Sequence, residues 1–74
     1  MKMNDLRIQI LSVPHREKLI AEVQYQHHII AEINNDNDEL EIEVFSYDDY
    51  SITLSLDKFI QILNEAKEQL LSFE

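Results

Sequence analysis

The sequence predicts a two-layer α+β domain, in which an antiparallel meander of about five strands carries one C-terminal helix on one face. Three observations lead to this prediction. Apolar and polar residues alternate in short segments up to position 55, and clusters of turn-forming residues separate these segments. After position 55 the apolar residues recur at helical spacing. A chain of 74 residues suffices for one such domain and is too short for two.

The first two strands are predicted at residues 6–13 and 18–25, on either side of Pro14. Alternation places the apolar residues of each segment on one face of the sheet. These residues are Leu6, Ile8 and Ile10 in the first strand and Leu19, Ala21 and Val23 in the second. The sequence 15–17 forms a short polar turn between them.

Three further strands are predicted at residues 28–34, 39–46 and 51–55. A three-residue turn at 25–27 would pair Val23 with Ile29, which keeps the apolar residues of both strands on one face. This core face would then comprise Ile29, Ala31 and Ile33 in the third strand and Leu40, Ile42 and Val44 in the fourth.

The connection between the third and fourth strands is predicted to be a two-residue turn. Asn35, Asp36, Asn37 and Asp38 all tolerate a positive φ angle. A turn at Asp36 and Asn37 pairs the third strand with the fourth so that Glu32 lies opposite Glu41. The chain contains no glycine, so all of its turns must use other residues.

A single helix is predicted at residues 56–72. Ser55 is its expected N-cap, and Asp57 lies near the positive end of the helix dipole. One apolar stripe runs along the helix at spacings of three and four residues, and it should cover the core face of the sheet. The stripe comprises Leu56, Phe59, Ile60, Leu63, Ala66 and Leu70.

The charge distribution points to a cationic partner. The formal net charge is −9, and no Lys or Arg occurs between Leu19 and Asp57. Such a field repels nucleic-acid backbones and anionic membrane surfaces, so we expect neither direct nucleic-acid binding nor membrane binding. A charge of this size also provides solubility, which is the simpler interpretation. We expect the protein in the cytoplasm, because it has no cysteine and its first residues include no apolar leader segment.

The sequence contains no recognisable catalytic set, and we expect neither an enzyme nor a cofactor. His27 and His28 are adjacent, so on a strand they point to opposite faces and cannot share one metal ion, whereas within the turn they could. Asn34, Asp36 and Asp38 imitate the start of a calcium loop, but Phe45 occupies the position of its closing glutamate. We therefore predict no metal site.

The sheet face away from the helix is the candidate binding surface. Its carboxylates stand in neighbouring strands, and two glutamates directly opposite each other cost stability unless a cation relieves them. Aromatic anchors surrounded by charge are typical of protein-binding patches. The predicted partner-binding residues are Glu22, Glu32, Glu41, Glu43, Phe45, Tyr47, Asp48, Asp49 and Tyr50. In a second interpretation, Ile20, Ile30 and Phe45 on this face are covered by the N-terminal residues or by a second copy of the chain.

Three segments carry a family resemblance. They are residues 8–23 (IQILSVPHREKLIAEV), 31–34 (AEIN) and 40–43 (LEIE). With these patterns the chain resembles the small acidic immunity proteins of bacterial contact-dependent growth inhibition and related polymorphic toxin systems. The resemblance extends through the helical segment and implies an inhibitor that binds a cognate toxin domain, often a basic nuclease. Gln26 and His27 stand where we expect relatives to have a glycine in the hairpin turn.

Two other functions remain open from the sequence. One is a phosphate-mimicking inhibitor of a nucleic-acid-binding protein, which would use the same carboxylates on a different target. The other is a homo-oligomeric structural module, such as a homodimer, held together by the apolar residues of the second sheet face. The genetic neighbourhood separates the first from immunity, and the mass in solution separates the second.

Overall fold

The computed structural model describes residues 5–46 and 51–73. Within these ranges, four antiparallel strands form one sheet in the order β1-β2-β3-β4, followed by one helix. The strands are β1 (Leu6–Leu11), β2 (Ile20–Tyr25), β3 (His28–Asn34) and β4 (Glu41–Val44), and the helix is α1 (Leu56–Ser72). The predicted α+β class, an antiparallel meander with a C-terminal helix on one face, is confirmed.

The core lies between α1 and strands β1, β2 and β3. Ala21 and Val23 of β2 and Leu70 of α1 have no exposed surface, which puts the centre of the core beneath the C-terminal half of the helix. The other members of the buried cluster are Leu6, Ile30, Ala31, Ile33, Ile62 and Ala66. The helix begins where its N-cap was predicted, since the Ser55 hydroxyl oxygen accepts a hydrogen bond from the Lys58 amide at 3.4 Å.

The predicted register of β2 against β3 is wrong by two residues. Val23 pairs with Ala31 instead of Ile29, and the turn contains only Gln26 and His27. A bulge between Val23 and Gln24 inserts Ile30 into β3 as an extra residue. Ile30 is therefore buried in the core while Ile29 is 37% exposed, the reverse of the predicted arrangement.

The predicted two-residue turn between β3 and β4 is also wrong. Residues 35–40 form a longer loop, with Asp38 at a φ angle of 60°. The longer loop shifts the register by two residues, so that Glu32 lies opposite Glu43 and Ile33 opposite Ile42. Glu41 pairs with Asn34 instead of Glu32.

The structure has four strands where about five were predicted. Residues 51–55 form no strand; Ile52 and Leu54 instead pack against the core as the chain approaches the helix. Strands β1, β2 and β4 are shorter than predicted at one or both ends, while the bounds of β3 and α1 agree with the prediction. The loop predicted at 46–50 lies mostly outside the described residues.

Candidate functional site: an acidic sheet edge beside an apolar cleft

The loop between β1 and β2 folds over the sheet face that the helix leaves free. From this loop, Arg16 donates a hydrogen bond from Nε to Oε1 of Glu32 at 2.8 Å and one from Nη2 to Oε1 of Glu43 at 3.3 Å. Glu32 is only 4% exposed, so its charge is withdrawn from solvent and balanced within the chain. The hydrogen bond to Glu32 is the main reason why the pKa of Arg16 is raised.

Arg16 stabilises a row of three glutamates that crosses the sheet. Glu22 pairs with Glu32 between β2 and β3, and Glu32 pairs with Glu43 between β3 and β4. Like charges directly opposite one another on neighbouring strands repel. The sequence predicted that such a pairing needs a cation, and the chain itself provides one.

Lys18 joins the β1–β2 loop to the β3–β4 loop. Its Nζ atom donates to the backbone oxygen of Asn35 at 3.1 Å and to Oδ1 of Asp38 at 3.0 Å. Its backbone amide donates to Oδ1 of Asp36 at 3.1 Å. These contacts hold the acidic loop at one end of the sheet, next to the start of β4.

We call the carboxylates of this loop and of β4 the acidic edge; its members are Asp36, Asp38, Glu39, Glu41 and Glu43. The side chain of Asp38 is 92% exposed, that of Glu43 is 52% exposed, and Glu39 and Glu41 are exposed as well. Within residues 5–46 and 51–73, Arg16 and Lys18 are the cations that form ion pairs with the acidic edge. Glu39 and Glu41 form no ion pair with any described residue, so the edge keeps an accessible negative charge.

An apolar cleft adjoins the acidic edge on the helix side of β4. Ile42 is 47% exposed and Val44 is 66% exposed, because the helix lies over β1 to β3 and leaves β4 uncovered. The cleft consists of two neighbouring pockets along β4. One, of about 200 Å³, is lined by Leu40, Ile42 and Leu63, with Asn64 and Lys67 of the helix at its border. The other, of about 510 Å³, is lined by Val44, Leu56 and Phe59 among others. Carboxylates and exposed apolar side chains thus alternate along one edge strand.

The predicted binding residues occupy different environments. Glu41 and Glu43 are exposed on β4, Glu22 and Phe45 are half-buried, and Glu32 is buried beneath Arg16. Tyr47, Asp48, Asp49 and Tyr50 lie outside the described residues. Ile20, which was predicted on an uncovered face, has no exposed surface, so the second face is not open along its whole length.

Sequence reasoning missed the roles of Arg16 and Lys18. Both lie in the polar segment after Pro14, just before the long stretch without Lys or Arg. They are the last cations before the row of glutamates, and this position was the available signal. The register error hid it, because it paired Glu32 with Glu41 instead of Glu43, and the row of three glutamates was therefore not predicted.

Three features are absent from residues 5–46 and 51–73: a group of metal ligands, an unpaired buried polar side-chain atom and a helix that could span a membrane. No three His, Asp or Glu side chains among these residues are grouped so that they could hold a metal ion. Every buried side-chain nitrogen or oxygen there has a hydrogen-bond partner. No helix formed by the described residues has the length and apolar character needed to cross a bilayer.

Comparisons of the chain with protein-family models, with curated proteins and with solved structures give no match.

Proposed function

We propose that this protein is an immunity protein, which binds a cognate cationic toxin domain in the cytoplasm and neutralises it through the acidic edge. The observation that supports this proposal best is the accessible charge of Glu39 and Glu41 beside an exposed apolar strand. The resemblance to immunity proteins suggests the class of partner, and the charge distribution suggests its sign.

The proposed mechanism is competition with a polyanion. A nuclease must hold a phosphate backbone, so its working surface carries lysine and arginine. An acidic edge can occupy that surface by placing carboxylates where phosphates would lie. Charge complementarity mainly accelerates encounter and selects the partner, while desolvated apolar contacts keep the complex together.

The proposed contacts follow the exposure of the side chains. Glu41 and Glu43 supply accessible charge from β4, and Phe45, Tyr47 and Tyr50 are proposed as anchors, together with Asp48 and Asp49. Glu32 acts indirectly, because it holds Arg16 and thereby the loop over the sheet. Glu22, which accepts a hydrogen bond from Gln24 at 2.7 Å, lies at the far end of the glutamate row.

The test is co-purification of the tagged chain with the protein encoded immediately upstream. We expect a one-to-one complex that dissociates as salt increases and in which the toxin is inactive. The same experiment is repeated with the variant that carries Glu39→Lys and Glu41→Lys, which should recover little of the partner. A chain that captures no partner and elutes as a stable dimer would contradict the proposal and support the homo-oligomeric module.

The phosphate-mimicking alternative shares the acidic edge and differs in its target. It predicts that the chain captures a nucleic-acid-binding protein that is not encoded beside it, and that added DNA or RNA displaces the chain. Neutralisation of the upstream protein's toxicity in living cells separates the two, because only an immunity protein protects against that toxin.

A further inference from the structure

The outer edge of β4 carries backbone groups that are available for pairing. The amide of Phe45 donates to the carbonyl oxygen of Ile30 at 3.1 Å, which fixes the alternation of the hydrogen bonds along the strand. The N–H and C=O groups of Phe45, Glu43 and Glu41 therefore face β3. Those of Ile42 and Val44 face away from the sheet, and no strand among the described residues pairs with them.

The side chains of β4 separate two kinds of contact. Glu41 and Glu43 lie on the face that Arg16 covers in part, while Ile42 and Val44 lie on the helix side and line the apolar cleft. A strand added beside β4 would find carboxylates on one face and exposed apolar surface on the other. A segment with alternating basic and apolar residues matches both faces.

We infer that β4 receives an extended segment of the cationic partner, which adds a fifth strand to the sheet. This inference rests on the proposed function and specifies how the partner is bound. The backbone groups of Ile42 and Val44 supply the pairing, and basic side chains of the added strand meet Glu41 and Glu43. Its apolar side chains fill the cleft between β4 and α1.

A second copy of the chain fits this edge poorly. Two copies of β4 would pair antiparallel through the outward-facing backbone groups of Ile42 and Val44. If this pairing is centred at Ile42, Glu43 lies opposite Glu41 of the other copy. If it is centred at Glu43, the two copies of Glu43 lie opposite each other. Arg16 already binds Glu32 and Glu43 of its own chain, so it does not neutralise the glutamates of a second copy. Direct opposition of like charges is destabilising, whereas lysine or arginine at the same positions is favourable.

The experiment uses a short peptide of alternating lysine and valine with blocked ends. Amide hydrogen exchange of the whole protein is followed by NMR with and without the peptide. We expect the amides of Ile42 and Val44 to exchange about tenfold more slowly, or slower still, when the peptide is bound. The amides of Glu43 and Phe45 are already bonded to β3 and should change little. A peptide with the same composition, but with all lysines before all valines, should give no such protection.

Two variants at one position test the backbone contact. The N–H of Val44 faces away from β3, so Val44→Pro removes an outward N–H without removing a bond to β3. Proline is tolerated at such positions of an edge strand. Val44→Thr also replaces the valine side chain but keeps the N–H. We expect Val44→Pro to weaken peptide binding about tenfold relative to Val44→Thr. Exchange in the unmodified protein still decides the matter if Val44→Pro fails to fold.

The outcomes separate this inference from the proposed function. Peptide binding without slower exchange at Ile42 and Val44, or no peptide binding at all, would overturn strand addition. A salt-sensitive complex with the upstream protein in which these amides exchange as fast as in the free chain would also overturn it, and it would leave the proposed function intact. Failure of the upstream protein to bind would contradict the proposed function itself.

Discussion

Nε of Arg16 lies 2.8 Å from Oε1 of Glu32, and this contact connects a loop to the centre of the sheet. Glu32 is flanked in the sheet by Glu22 and Glu43, and the guanidinium also reaches Glu43. A buried carboxylate between two others is tolerated only with a cation beside it. The pair therefore explains how the chain concentrates negative charge on one side without losing its fold.

The first prediction concerns this pair. Arg16→Gln should lower the urea midpoint of unfolding, because it removes the guanidinium that binds the buried carboxylate of Glu32 at 2.8 Å. Arg7→Gln, at an exposed site on β1, makes the same change in net charge and should have little effect. Adding Glu32→Gln to Arg16→Gln should restore part of the lost stability, since a buried amide costs less than a buried carboxylate. Equal midpoints for Arg16→Gln and Arg7→Gln would contradict this account.

The same pair has a defined pH dependence. The pKa of Arg16 is raised in the folded protein, so its contribution is complete below the ordinary guanidinium pKa and is lost only as the pH rises through the higher, folded value. The difference in stability between the unmodified chain and Arg16→Gln should therefore be the same at about pH 7 and about pH 9. Urea titrations at the two pH values measure it, and a difference that shrinks at the higher value would show that another group carries the effect.

The second prediction concerns the β2–β3 turn. Gln26 has a φ angle of 57°, a region in which a side chain is unfavourable and glycine is not. Gln26→Gly should therefore increase the free energy of unfolding by about 0.5–1 kcal/mol. His27→Gly is the control, because His27 is exposed in the same turn and is not at positive φ. A higher free energy of unfolding for His27→Gly, or a lower one for Gln26→Gly, would show that the positive φ angle of Gln26 does not cost stability.

The third prediction tests where the helix contributes to the core. Leu70 has no exposed surface, whereas its neighbour Leu71 is 42% exposed. Leu70→Ala should reduce the free energy of unfolding by about 2–5 kcal/mol, and Leu71→Ala by less than about 1 kcal/mol. Urea denaturation of both variants measures the two changes. Similar losses at the two positions would mean that the helix is rotated relative to the sheet.

The fourth prediction concerns the start of α1. Ser55→Ala removes the acceptor for the Lys58 amide and should cost about 1 kcal/mol. Ser55→Asp keeps an acceptor and adds a favourable charge at the helix N-terminus, so its stability should match or exceed that of the unmodified chain. Ser51→Ala, at an exposed site before the helix, should change little. If Ser55→Ala and Ser51→Ala are equally stable, the cap contributes nothing.

The sequence was informative wherever one local pattern determines the structure. The bounds of β3 and α1 follow from alternation and from helical spacing, and Ser55 is recognisable as a cap. Registers depend on turn geometry, which the pattern leaves open in a chain without glycine. Gln26 adopts a conformation that glycine usually supplies, and the bulge at Ile30 then compensates for the shorter turn.

The candidate site was predictable in its chemistry and only partly in its geometry. The acidic stretch and the exposed position of Glu41 and Glu43 follow from composition and alternation. The contact of Arg16 with Glu32 joins positions 16 residues apart through an irregular loop, and no periodic pattern encodes such a contact. The exposed apolar surface of β4 results from the helix lying over β1 to β3, which is a property of packing.

The association rate of the chain with its upstream-encoded partner at low salt tests the central claim most directly. Glu39→Lys with Glu41→Lys reverses charge at the acidic edge, and Glu65→Lys with Glu68→Lys makes the same change in net charge on α1. We expect the first pair to reduce the rate constant by about tenfold or more, the second pair to have a much smaller effect, and both proteins to remain folded. Equal rates for the two variants, or no loss in the first, would contradict a role for the acidic edge in binding.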